Sequence, residues 1–206
     1  MNYEHERKEK KAVYHGPRPL FPRENETAAV EFNEYLHNRD LNAEIARENG
    51  WYPALYEGAM RVVIPCTNSA AIPYFQARDM SGKATLRYAS PPATRDDSIV
   101  LVWPPCSPKG TVILEGPMDA LAAAGAGYLG IGLMGNKPPR EVLEQVAWYA
   151  GRFPPVLVVP DADMLGMASE VVGWLSQYGL QATMRVPLVK DLASMTRIER
   201  RMFLCQ

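Results

Sequence analysis

Thr111-Val-Ile-Leu-Glu-Gly-Pro-Met-Asp119 decides how this chain is read, together with a second stretch of the same design, Val156-Leu-Val-Val-Pro-Asp-Ala-Asp163. In each, a short continuous apolar run ends on a carboxylate. Such runs mark strands covered on both faces, as in a parallel sheet between helix layers, and ligands collect where those strands end. Glu115 and the pair Asp161 and Asp163 therefore fall at one edge of the expected sheet. Acids buried there without a counter-ion are costly, and a divalent cation removes the cost. Magnesium suits the pattern, since it takes one or two carboxylates and completes its shell with water and substrate phosphates.

The spacing adds to this. Asp161 and Asp163 lie two apart, so on an extended chain they point the same way. Asp119 follows Glu115 by four, and a helix starting near Gly116 turns it back toward the strand end. Taken singly, each acid has a plainer reading: Asp119 and Asp163 as first-turn acids facing a helix dipole, Asp161 as an N-cap. Taken together, those readings explain less well than a shared metal site why both strands end alike.

Working outward, strand and helix alternate beyond a boundary at Pro104–Gly110. The pattern predicts strands at 111–114, 128–134, 156–160 and 181–187, with helices at 117–125, 139–151 and 164–178. That alternation argues for a parallel sheet with right-handed crossovers and flanking helices. Gly130-Ile-Gly-Leu-Met-Gly135 matches the dinucleotide fingerprint G-x-G-x-x-G, but only Tyr128-Leu129 is left for the strand that must precede it. The segment reads instead as a strand with glycines where helices press close, and Gly135-Asn136 as its turn. Upstream, residues 27–108 read as a small α+β unit. Two short helices between Thr27 and Asn49 turn at Asn38-Arg-Asp40 and are closed by Gly50. Strand-like runs follow at 61–65, 71–78, 84–88 and 99–103, with Asp79–Gly82 as a hairpin turn. Residues 1–26, charged and proline-containing, read as a flexible arm, and residues 109–206 as the α/β domain.

Composition bounds the function. The chain has 206 residues, 47% hydrophobic, and a formal net charge of -1. It is long enough for one good core with a satellite, and it has no global basic field. Any nucleic-acid contact must come from a local patch. Cys66, Cys106 and Cys205 are isolated, and the three histidines lie near the N-terminus, so no zinc ribbon is encoded and a reducing compartment is expected. No signal peptide or membrane span is read, and a cytoplasmic protein, bacterial or in a phage-infected cell, is expected.

At the level of motifs the sequence resembles the TOPRIM-domain polymerase core of bacterial and bacteriophage DNA primases. Glu115-Gly-Pro-Met-Asp119 is similar to that family's glutamate motif, Asp161-Ala-Asp163 to its aspartate-x-aspartate motif, and Lys190-Asp191-Leu192 to its later lysine-aspartate element. Ala28–Leu41 through Glu48–Pro53 resembles the paired helices opening the primase core. Tyr74–Arg78 and Lys83–Pro91 resemble its basic strands. Coverage runs from about residue 28 to about residue 195. Pro117 stands where the family has a bulkier residue, and Ala162 replaces a glycine.

The resemblance implies a TOPRIM α/β fold and template-directed synthesis of short RNA primers on single-stranded DNA. A 3′ hydroxyl attacks the α-phosphate of a ribonucleoside triphosphate and pyrophosphate leaves, with Mg²⁺ or Mn²⁺ as cofactor. It makes Glu115, Asp161 and Asp163 catalytic, and Glu115, Asp119, Asp161, Asp163 and Asp191 the metal set. Arg78, Lys83, Arg87, Asn136 and Lys190 are expected to contact nucleotide or template. The zinc-binding and helicase segments of such primases are not encoded here, so a helicase or zinc-binding protein in trans is an expected partner. Two other readings remain at this stage: a metal-dependent nuclease built on the same acids, and a non-catalytic module binding single-stranded DNA or the replisome.

Overall fold

The computed structural model describes residues 21–68, 74–91, 98–134, 138–161 and 165–205. A 3₁₀ turn at Glu26–Ala28 is capped by Asn25, whose side chain accepts from Thr27 N–H at 3.1 Å. It leads into α1 (Ala29–His37), which buries Phe32, Tyr35 and Leu36. Asn42 caps α2 (Ala43–Glu48), its Oδ1 accepting from Glu44 N–H and Ile45 N–H at 2.8 and 3.1 Å. Gly50, at φ +77°, ends that helix as expected.

The antiparallel half of the sheet comes next: β1 (Tyr52–Tyr56), β2 (Ala59–Asn68), β3 (Tyr74–Asp79), β4 (Tyr88–Ala89) and β5 (Ser98–Val102). β1 was not expected, because Pro53 speaks against a strand. Among the described residues it pairs only with β2, and an edge strand tolerates proline. Glu57 and Gly58 join the two with positive φ at both positions, the backbone of a two-residue hairpin turn. The strand expected at 84–88 shrinks to two residues. Asp79 holds the preceding loop, its carboxylate accepting from Ser81 N–H and Oγ and from Ala84 N–H. Those bonds outweigh burial and keep its pKa below the usual range.

The second half alternates as expected: β6 (Thr111–Leu114), α3 (Pro117–Gly125), β7 (Leu129–Gly132), α4 (Arg140–Ala150), β8 (Val156–Val158), α5 (Leu165–Gln177) and β9 (Ala182–Met184). β7, β6, β8 and β9 lie side by side and parallel. A 3₁₀ turn at Leu192–Ser194 and α6 (Arg197–Leu204) follow. The sheet is continuous across the boundary placed near residue 108. β5 pairs with β2 through Thr67 and Asn68, and with β7 through Val100–Val102.

Both faces of the central strands are covered. Val112, Leu114, Leu157 and Val159 pack toward α1, α2, α3 and α6, while Ile113, Val156 and Val158 pack toward α4 and α5. This is why these strands read as unbroken apolar runs. α3 is the most enclosed helix, with Pro117 to Ala124 all buried. It lies against β7 so closely that a Cβ on Gly130 would sit 2.2 Å from the Ala120 carbonyl oxygen. Gly130 of the G-x-G-x-x-G match therefore reflects helix packing against β7. Gly130→Ala is expected to destabilise the fold by about 2–3 kcal/mol, since backbone rather than a flexible side chain must yield. Urea unfolding monitored by circular dichroism measures it. A loss below about 1 kcal/mol would contradict the packing.

Candidate functional site

Because β6 and β8 are parallel and in register, with Ile113 opposite Val158, their C-terminal ends emerge together. Glu115 follows β6 directly, and Asp161 follows β8 after Val159-Pro160. Both are half-buried and line one cleft of about 780 Å³. Gly116 caps α3 with extended backbone and Pro117 opens its first turn, which swings Asp119 back to the same place. The Asp191 side chain caps the 3₁₀ turn at 192–194, accepting from Ser194 N–H at 2.8 Å and from its hydroxyl, and lines the same cleft.

Asp119 is the most constrained of the four. Its side chain is 9% exposed, and its Oδ1 accepts from Ala193 N–H at 2.8 Å. Burial pushes its carboxyl up to about 7, helped by the negative charges of Asp191 and Asp161, with the Ala193 N–H working against them. The strand ends thus gather acids whose charges oppose one another.

A second, basic wall lines the same cleft. Arg78, on β3, is buried, and its Nε and Nη1 donate to the hydroxyls of Tyr35 and Tyr88 at 2.7 and 2.6 Å. Its guanidinium also lies 4.8 Å from the Tyr88 ring centroid. Arg39, at the end of α1, stacks on the Tyr35 ring at 4.0 Å. Arg87 and Lys190 are exposed at the rim. Of the residues expected from the sequence, the cleft brings together Glu115, Asp119, Asp161, Asp191, Arg78, Arg87 and Lys190.

Lys83 is not brought there. Because β4 begins only at Tyr88, Lys83 sits on the loop shaped by Asp79, in a separate groove with Glu57, Gly58 and Ser81. Asp163 and Asn136 lie outside the described residues. The aromatic side chains that could stack on bases divide. Trp51 is core at 2% exposure, Trp103 packs edge-on against Phe153, and Tyr88 alone faces the cleft.

Several cleft residues escaped the sequence reading: His37, Arg39 and Asp40 from the end of α1 and its following turn, and Gln76 from β3. The signal for Arg39 was present, as a cation in the turn Asn38-Arg-Asp40. For α6 it was the capping box Thr196-Arg-Ile-Glu199, which the structure forms in full.

No protein-family model matches the chain, and no curated protein matches it. Solved structures do. The chain is similar to one in a complex of the bacteriophage T7 lagging-strand DNA polymerase interacting with primase domains of two gp4 subunits bound to an RNA/DNA hybrid and dTTP. That match has 18% identity, a TM-score of 0.59, and covers 82% of this chain and 87% of that one. It is similar to the Aquifex aeolicus primase comprising zinc-binding and RNA polymerase domains, with 15% identity, a TM-score of 0.61, and 88% and 56% of the two chains covered. It is also similar to a DNA primase domain from Pseudomonas aeruginosa, with 20% identity, a TM-score of 0.58, and 81% and 67% covered. The α/β fold of this chain, with its partly parallel central sheet and flanking helices, is that of bacterial and bacteriophage primase domains.

Proposed function

We propose that this chain is a primase-type nucleotidyltransferase core of the TOPRIM class, which extends short RNA primers on a single-stranded DNA template. The observation that carries the reading is the single cleft lined by Glu115, Asp119, Asp161 and Asp191 together with Arg39, Arg78, Arg87 and Lys190. The fold shared with primase domains supports it. A cytoplasmic setting accords with this, and among the described residues no helix is long and apolar enough to cross a membrane.

The donor set fits magnesium. All four acids offer hard carboxylate oxygens, and burial, with the charges of Asp191 and Asp161 adding to it, raises the pKa of Asp119, a cost that a nearby cation offsets. Among the described residues no three Asp, Glu, His or Cys side chains are grouped closely enough to hold an ion by themselves. Glu115, Asp161 and Asp191, with Asp163, would hold it, and Asp119 would support them from behind. Bound there, magnesium supplies charge stabilisation to the transferring phosphoryl group.

The chain's own groups do the rest. Glu115, half-buried at the end of β6, accepts the proton of the attacking 3′ hydroxyl. The Arg78 guanidinium, oriented by two tyrosine hydroxyls, binds phosphate, and Lys190 and Arg87 add contacts from the rim. Such contacts give affinity without reading sequence. A zinc-binding protein or a helicase in trans is the partner we propose for initiation.

The test is a synthesis assay. Purified protein, a single-stranded DNA template and labelled ribonucleotides are incubated with magnesium, with manganese, and with chelator. Labelled products longer than the starting nucleotides, absent in chelator, are expected. Metal-dependent shortening of the template would replace this reading with the nuclease, and template binding with neither reaction would leave a binding module.

A further inference from the structure

The side chain tying the two walls of the cleft together comes from outside the matched motifs. Arg200, on α6, is 3% exposed. Its Nε donates to the Leu192 carbonyl at 3.1 Å and its Nη2 to the Ala193 carbonyl at 2.9 Å. Its Nη1 donates to the Asp40 carbonyl at 2.6 Å, and Nη2 also to the Arg39 carbonyl at 3.0 Å. One guanidinium thus holds four carbonyls, two on the acidic wall and two on the basic wall.

The choice of carbonyls matters. Leu192 C=O and Ala193 N–H belong to the same peptide group, and that N–H donates to Asp119. Arg200 at one end and Asp119 at the other fix the tilt of this peptide. In the adjoining segment, the Arg39 and Asp40 carbonyls bracket Asp40 at φ +53°, a region costly for a non-glycine side chain. The Asp40 carboxylate accepts in turn from Arg197 N–H, at the first residue of α6. The turn so held presents Arg39 to the cleft.

We propose that Arg200 is a positioning residue. It sets the separation and orientation of the Asp191–Ser194 segment and the Asn38–Asp40 turn, so that the carboxylate wall and the phosphate-binding wall are organised together. What the walls bind rests on the function proposed above, whereas their joint positioning does not. A lysine cannot substitute, because its three donors share one nitrogen whereas the guanidinium fork spans both walls.

The experiment is amide hydrogen exchange on the full chain in chelator, comparing Arg200→Lys with the exposed neighbour change Arg201→Ala. Exchange in peptides covering 38–41 and 191–195 is expected to accelerate together by about tenfold or more in Arg200→Lys, as follows from losing a charged hydrogen bond on each side. The β6 amides should stay protected, and Arg201→Ala should match the wild type. Glu199→Ala guards against a misfolded Arg200 variant. It removes the capping box from an exposed position and is expected to loosen both segments by about threefold to fivefold. Loosening of one segment alone, or of neither, overturns the proposal.

The same proteins are then titrated with Mn²⁺ and, in chelator, with a single-stranded oligothymidylate. Both affinities should weaken together in Arg200→Lys, each by about tenfold. Weakening of one and not the other counts against joint positioning. Wild-type protein that binds neither ligand defeats the proposed function and leaves the exchange result to decide the role of Arg200.

Discussion

Asp161→Asn is expected to lower metal-dependent primer synthesis on the order of 10³-fold while leaving the protein folded, the scale of removing one preorganised charge from a phosphoryl-transfer site. The substitution keeps the size of the side chain and removes one negative charge. Asp161 follows β8 at the edge of the sheet and is half-buried, so its side chain stands outside the apolar core. Its charge does raise the carboxyl pKa of Asp119. The thermal midpoint of the variant should therefore equal or slightly exceed that of the wild type. Raising the magnesium concentration should recover part of the rate, since one oxygen donor remains. The measurement is incorporation of labelled ribonucleotide over a magnesium titration, beside a thermal melt of the same sample. Wild-type rates from folded Asp161→Asn protein would mean the cleft acids do not carry the chemistry.

The acids that this experiment probes were legible because parallel sheets leave a strong trace in sequence. Thr111–Leu114 and Val156–Val159 are apolar without interruption, since one set of side chains packs toward α3 and the other toward α4 and α5. A charged residue directly after such a run can only lie at the strand's end. Asp119 was readable by helix spacing, because Gly116 and Pro117 mark where α3 begins.

The basic wall was harder to read, for two physical reasons. Its residues come from distant parts of the chain, and only antiparallel pairing of β3 with β2 and β4 brings Arg78 beside Tyr88. In addition, the strand expected over 84–88 is mostly a loop. Asp79 forms local side-chain bonds that compete with a ladder, so the resemblance placed Lys83 on a strand it never joins. β1 was hidden by Pro53, and α6 by its polar surface. Only Leu204 and Arg200 of α6 are buried, so its hydrophobic stripe is too thin to stand out. Yet those two side chains fasten it: Leu204 enters the core, and Arg200 grips both walls.

Asp119→Asn is expected to make the protein more stable, by roughly 4 kcal/mol at pH 8 in chelator, from about three pKa units at 1.36 kcal/mol each. The Asp119 carboxyl is pushed up to about 7 in the folded chain, from an ordinary aspartate value of 3.8. Between those values the folded state holds a proton that the unfolded state has released. Stability therefore falls as pH rises from about 4 to 7, and the loss is complete above 7. Asparagine keeps an oxygen to accept from Ala193 N–H but carries no charge to desolvate or to repel Asp191 and Asp161. The advantage of the variant should shrink to below about 2 kcal/mol at pH 5, where the wild-type carboxyl is mostly protonated. Magnesium should narrow the gap at pH 8, because it stabilises the wild type by neutralising the same crowded charge. Urea titrations at both pH values, with and without the metal, separate these effects. A variant that is less stable at pH 8, or whose advantage does not change with pH, would show that no charge is being held under strain at the end of β6. In that case the cleft acids would lack the electrostatic reason to recruit a cation, and the stability sacrificed at Asp119 could no longer be read as a cost of function.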